Sequence, residues 1–212
     1  MIDKKQDVWI CRHANRLDFV DRSYRGYDSP ISDDGVIQAQ QTGERLKGEG
    51  ITQIFASPFL RAIQTAFHIA EALDLQIKIE PGMSEWLNAD WFSGMPQFMT
   101  PAEAHAVCPR IDLAYRPVIL PEYPEDGDFA AKRAGRAALM LADTYSDDNI
   151  LLVGHGHSVC GAATGVMKEH ASVRPGLCAL IKIVRTNGVP ELVLPGDTSH
   201  LDSGTQHADR MI

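Results

Sequence analysis

Val8-Trp9-Ile10-Cys11-Arg12-His13-Ala14-Asn15-Arg16 begins as an apolar run and breaks into charge at Arg12. A short apolar run of this kind reads as a buried strand ending in a loop. The same pattern returns at Ile150–Val153, an aliphatic run that stops at Gly154-His155-Gly156. Between these two stretches the pattern alternates. Ser32–Gly50 reads as a helix, with Ser32 as its cap, Asp33 and Asp34 at its positive end and Gly48 and Gly50 to stop it. Gln53–Ala56 reads as a strand, and Ser57-Pro58 as the opening of a helix, serine in the cap and proline first. Ile63, Ala66, Phe67, Ala70 and Leu73 give that helix an apolar face. Gln76–Glu80 follows as a strand, Asp128–Tyr145 and Ser158–Met167 as helices, and Cys178–Val184 and Glu191–Leu194 as two late strands. Strands alternating with helices predict an α/β fold with a mostly parallel sheet covered on both faces. Ligands of such sheets bind beyond the carboxyl ends of the strands.

The whole chain sets bounds on this reading. Its 212 residues suffice for one α/β domain with a sizeable core. A formal net charge of −8 argues against a large nucleic-acid footprint, so arginines that bind an anion must be concentrated locally. Cys11, Cys108, Cys160 and Cys178 are scattered without CxxC spacing. The apolar run near the amino end is too short for a signal peptide, and no stretch approaches a membrane span. The expectation is a cytoplasmic protein with reduced thiols and no membrane partner. Residues 83–124 have an irregular, proline-rich and aromatic pattern that reads as an insertion or cap. Residues 196–212 read as a polar tail, and His200 and His207 within it are assigned no role.

Three strand ends deliver similar side chains. The first carries Arg12, His13 and Arg16, the second leads through its helix to Arg61, and the fourth carries His155. If the strands are neighbours, three arginines and two histidines converge. Arginine presents a planar fork of donors matched to phosphate oxygens. A neutral imidazole can attack phosphorus and split hydrolysis into two steps. The leaving oxygen then needs a proton, and Glu85, just after the third strand, is a suitable carboxylic acid.

Here the motifs become specific. CRHANR (11–16), SPISDDGVIQAQQTGERL (29–46), ASPFLRAIQTA (56–66), IEPGMSEWL (79–87) and LLVGHGHSV (151–159) resemble, in order and spacing, the histidine phosphatase or phosphoglycerate-mutase-like superfamily. Within it the chain is most similar to the phosphatase domains of the Sts/UBASH3 (TULA) proteins, through RHA, Arg16, the Glu85-Trp86 pair and PGLCAL (175–180). The resemblance covers the chain to about Pro195. It implies a single domain over 1–212, a three-layer α/β/α sandwich, and phosphomonoester hydrolysis through a phosphohistidine on His13. It implies Arg12, Arg16, Arg61 and His155 as phosphate ligands, Glu85 as the acid, and no metal or other cofactor. The partner is then a phosphorylated small molecule or phosphoprotein, aryl and tyrosine phosphates among them, and a homodimer would fit the resemblance. The chain departs from the pattern of these similar domains at Asn15, where they place a glutamate; the position is expected to border the pocket.

Other readings compete. Mutases of this family carry a basic ERHYG-type segment after the acid, whereas this chain has EWLNADWFSG (85–94), which favours hydrolysis. A binding or assembly module on the same fold would have little reason to keep both histidines and all three arginines. A cysteine phosphatase needs an arginine six residues after its nucleophile, but Leu17 and Val166 stand at that distance from Cys11 and Cys160. His155 and His157 form an HxH pair without the aspartates that complete a metal site. Trp86, Trp91, Phe92 and Phe98 could form an apolar wall for a leaving group or a small core under the insertion.

Overall fold

A computed structural model describes residues 3–26 and 28–202. Its sheet contains β1 (Lys5–Arg12), β2 (Ile51–Ala56), β3 (Ile77–Ile79), β4 (Asn149–Gly154), β5 (Leu180–Thr186) and β6 (Val189–Asp197). The strand order is β3-β2-β4-β1-β5-β6. β1 to β4 pair in parallel, while β5 runs against both β1 and β6, so one strand of the six opposes the rest. The carboxyl ends of β1 and β4 lie side by side, with Arg12 in register with Gly154.

Period-two alternation on the central strands feeds two separate cores. Trp9, Cys11, Leu151 and Val153 point to one face with Ile54 and Ala56. Val8, Ile10, Ile150 and Leu152 point to the other with Phe55. The first face is covered by α2 (Asp33–Leu46), α3 (Leu60–Leu73) and α4 (Pro101–Val107), the second by α5 (Gly127–Thr144) and α6 (Gly156–Met167). The result is a three-layer α/β/α sandwich. A short α1 (Leu17–Val20) follows the β1 loop.

Several local expectations needed correction. Ser32 does cap α2, accepting from the Gly35 amide at 3.3 Å. Ser57, however, does not cap α3, which starts at Leu60 with Phe59 in the cap position and no side-chain cap. The Leu60 amide is served instead by Asp28 Oδ2 at 2.7 Å. Residues 83–124, read as an insertion or cap, hold structure of their own: α4 carries a capping box between Thr100 and Glu103, and Ile111 bridges Ile77. The supposed polar tail begins as sheet, since β6 runs to Asp197. His200 then meets Thr42 Oγ1 at 3.1 Å, and Leu201 is buried. His207 lies outside the described residues. No helix of the described residues is long and apolar enough to cross a membrane.

Candidate active site

His13 sits in the turn that leaves β1, anchored by its amide to the Gly154 carbonyl at 2.9 Å. It is 1% exposed. Its Nδ1 lies 2.8 Å from the Ala14 carbonyl oxygen, which can only accept, so Nδ1 carries the proton and donates. Nε2 therefore keeps its lone pair, and it is buried without a hydrogen-bond partner. Burial pushes the His13 imidazole well below the ordinary histidine value, and the nearby Arg61 and Arg12 guanidiniums push it further. The ring is neutral at physiological pH.

His155, at the end of β4, faces it with ring centroids 5.3 Å apart. Its Nε2 is 2.7 Å from Ser57 Oγ, and its Nδ1 is 3.4 Å from Glu85 Oε2. Burial again lowers its pKa well below the usual value, followed by Arg61 and His13. Ser57 is fully buried and explains why α3 starts late: its hydroxyl turns to a buried imidazole nitrogen that would otherwise lack a partner. The sequence reading missed this contact, and the Ser-Pro cap signal pointed away from it.

The arginines surround this pair. Arg61, in the first turn of α3, is 3.4 Å from both Asp28 Oδ1 and Glu85 Oε2 and lies over the Phe59 ring at 4.6 Å. Arg12 donates through Nη1 to the Pro175 carbonyl at 2.9 Å, and its Nε is buried without a partner. Burial lowers both guanidinium pKa values, and the Glu85 carboxylate offsets that burial most strongly. Arg16 is engaged by Asp18 through both Nε and Nη2 and covers the Phe19 ring. Its charge reaches Arg12, Arg61 and both histidines, lowering each. The six predicted residues thus share one electrostatic neighbourhood.

The ligand atoms of His13, Glu85 and His155 lie within 4.8 Å of one another, a spacing that could hold a metal ion. The charges argue otherwise. The charge of the arginines, which adds to burial in lowering both imidazole pKa values, also opposes a divalent cation and favours an anion. His157 does not join the cluster. It bonds the Gly127 carbonyl at 2.6 Å and stacks near Trp86.

Other candidates also find places. Asn15 is 2% exposed, and its side chain bonds Asp34 Oδ2 at 2.8 Å and the Arg16 amide at 3.1 Å. It ties the loop after β1 to α2. Phe92 and Phe98 pack against Phe59, which meets His155 edge-on at 5.1 Å, whereas Trp91 meets Trp86 edge-on and stays 45% exposed. The aromatic cluster is therefore both a small core and a border of the site. Cys11 is buried against Cys178, whose hydrogen bond together with burial raises the Cys11 thiol pKa. Cys160 is raised by burial. Neither is poised as a thiolate.

The chain is similar to the ecdysteroid-phosphate phosphatase of Bombyx mori, with 35% identity over 161 residues that cover 70% of this chain and 24% of that protein. It is also similar to the ubiquitin-associated and SH3 domain-containing protein A of Mus musculus, at 40% over 98 residues, 43% of this chain and 16% of that one. It thus spans about a quarter or less of each of these relatives. Among solved structures, the ecdysone phosphate phosphatase of Bombyx mori in complex with tungstate shares the fold, with a TM-score of 0.76 at 22% identity over 92% of this chain and 94% of that one. A phosphoserine phosphatase mutant from Entamoeba histolytica in complex with phosphoserine has a TM-score of 0.65 at 19% identity, covering 93% of this chain and 100% of that one. The model of the histidine phosphatase superfamily (branch 1) matches residues 8–198, and this chain belongs to that superfamily.

Proposed function

We propose that the chain is a metal-independent phosphomonoester hydrolase that works through a phosphohistidine on His13. The observation that carries this is the state of His13: Nδ1 committed to the Ala14 carbonyl, and Nε2 neutral, buried and without a partner. An imidazole held this way has its lone pair ready and cannot turn away. Arg12, Arg16 and Arg61 bind the phosphoryl oxygens and stabilise their charge in the transition state. His155 adds a neutral donor or acceptor on the same group.

The Nε2 lone pair forms the N–P bond as the P–O bond to the leaving group breaks. Glu85, in its acid form, gives the departing oxygen its proton. A water then attacks phosphorus, the Glu85 carboxylate takes the water proton, and the N–P bond returns its electrons to His13. Phe92 and Phe98, standing behind Phe59 and His155, give the leaving-group side an apolar border. That border supports aryl or tyrosine phosphates as substrates. The phosphatase names of two relatives agree with hydrolysis.

The test is turnover of nitrophenyl phosphate with EDTA present, together with His13→Ala. Activity should survive the chelator. His13→Ala should lose on the order of 10³-fold in kcat or more, since members of a cooperative catalytic unit have no substitute. Loss of activity in EDTA and its return with a divalent ion would defeat the metal-independent reading. A His13→Ala variant retaining a tenth of kcat would remove His13 as nucleophile.

A further inference from the structure

Arg133 lies on α5 and belongs to none of the groups described above. Its side chain is 3% exposed and that of Glu125 is fully buried. Its fork is saturated. Nε and Nη2 grip Glu125 at 2.6 and 2.8 Å. Nη1 donates to the Gly82 carbonyl at 2.7 Å, and Nη2 to the Glu85 carbonyl at 3.0 Å. Both Nη atoms also reach the Ser84 carbonyl at 3.3 Å.

Glu125 completes the frame from the other side. Its Oε2 accepts from the Leu87 amide at 3.3 Å. Its own amide donates to the Leu87 carbonyl at 3.0 Å, and its carbonyl accepts from Trp86 Nε1 at 2.9 Å. One ion pair therefore fixes the backbone at 82, 84, 85 and 87, before and after the residue whose carboxylate points at Arg61 and His155. Gly82 lets the helix come this close: a Cβ there would stand 2.6 Å from the Ala137 Cβ.

We propose that Arg133, paired with Glu125, is a positioning residue that sets where the Glu85 carboxyl stands relative to the leaving group. This rests on the reading of Glu85 as the acid. A carboxyl displaced by a fraction of an ångström still occupies the site, yet no longer meets the leaving oxygen along its line of departure. A nitrophenoxide leaves with little help, whereas an alkoxide does not. The defect is therefore selective for the leaving group. Phosphate binding is spared, because Arg133 touches none of Arg12, Arg16 and Arg61.

The experiment compares an alkyl phosphate with nitrophenyl phosphate in the full chain, its Arg133→Lys and Glu85→Gln variants, and the double variant. Lysine keeps the charge but cannot hold a carboxylate and three carbonyls at once. Arg133→Lys should lower kcat on the alkyl phosphate by about 10- to 100-fold, and on nitrophenyl phosphate by less than about 3-fold, with KM unchanged for both. Added to Glu85→Gln, it should cause little further alkyl-selective loss, under about 2-fold, because both changes remove the same contribution. Equal losses on the two substrates with Glu85→Gln still selective would overturn the positioning role and leave the acid assignment standing. Glu85→Gln without selectivity would overturn both. If Arg133→Lys does not fold, Glu125→Gln, which keeps one oxygen in the frame, is read by the same criteria.

Discussion

His13 and His155 are held neutral first by burial and then by the neighbouring arginines, whose charge favours an anion at the same place. The field that lowers each imidazole pKa belongs to Arg61, Arg12 and Arg16, acting after burial has made the larger change. A protonated His13 would present no lone pair to phosphorus. The expected state can be observed directly. Nitrogen-15 NMR of the histidine rings at pH 6.5 should show His13 as the neutral Nδ1–H tautomer, as its bond to the Ala14 carbonyl requires. An imidazolium signal, or the Nε2–H tautomer, would remove His13 from the role of ready nucleophile.

At the scale of elements, the two helices on the second core approach unusually closely. Gly135 on α5 faces Gly161 and Gly165 on α6. A Cβ at Gly165 would lie 2.3 Å from the Gly135 backbone, with no flexible side chain able to give way. This contact has a functional reach, since α5 carries Arg133 and α6 begins immediately after His155. Gly165→Ala should therefore destabilise the fold by about 1–3 kcal/mol, the usual cost of overpacking a tight core. Urea unfolding would show this as a lower midpoint at unchanged slope. A midpoint equal to that of the parent chain would mean the helices separate without penalty.

At the scale of the whole molecule, a formal charge of −8 contrasts with the local cluster of Arg12, Arg16 and Arg61. Both site histidines have folded-state pKa values well below 6.5. Below pH 6.5 the unfolded chain takes up protons that the folded chain refuses, so acid favours unfolding. Each histidine should withdraw up to about 1.4 kcal/mol for each pH unit below 6.5, until its folded pKa is reached. His200, lowered by burial, adds to the same trend. The carboxylates with lowered values, such as Asp18 and Glu49, contribute only further down, as pH falls below their unfolded values. Urea midpoints at pH 7 and pH 5.5 should therefore differ, and His13→Gln should reduce the difference. A midpoint independent of pH across that window would contradict the buried neutral pair.

The amino-acid sequence by itself determined what depends on neighbours along the chain. The apolar runs at Val8–Cys11 and Ile150–Val153 read as buried strands, and they stand side by side in the sheet with a covered core on each face. Ser32 capped its helix because the donor it serves lies three residues away. Arg12, His13, Arg61 and His155 were legible because each stands at or near a strand end, and strand ends gather in a parallel sheet. The tertiary structure alone decided the pairings that span long stretches of chain. Ser57 abandoned its local cap for His155, nearly a hundred residues on, because a buried ring nitrogen costs more to leave unpaired than a helix end that Asp28 can serve. Asn15 turned toward Asp34 for the same reason. Arg133 gave no sequence signal at all: in an alanine-rich helix it reads as one more solvated charge. Only folding brings Glu125 and the carbonyls of Gly82, Ser84 and Glu85 around it, and these acceptors offset the cost of burying its charge.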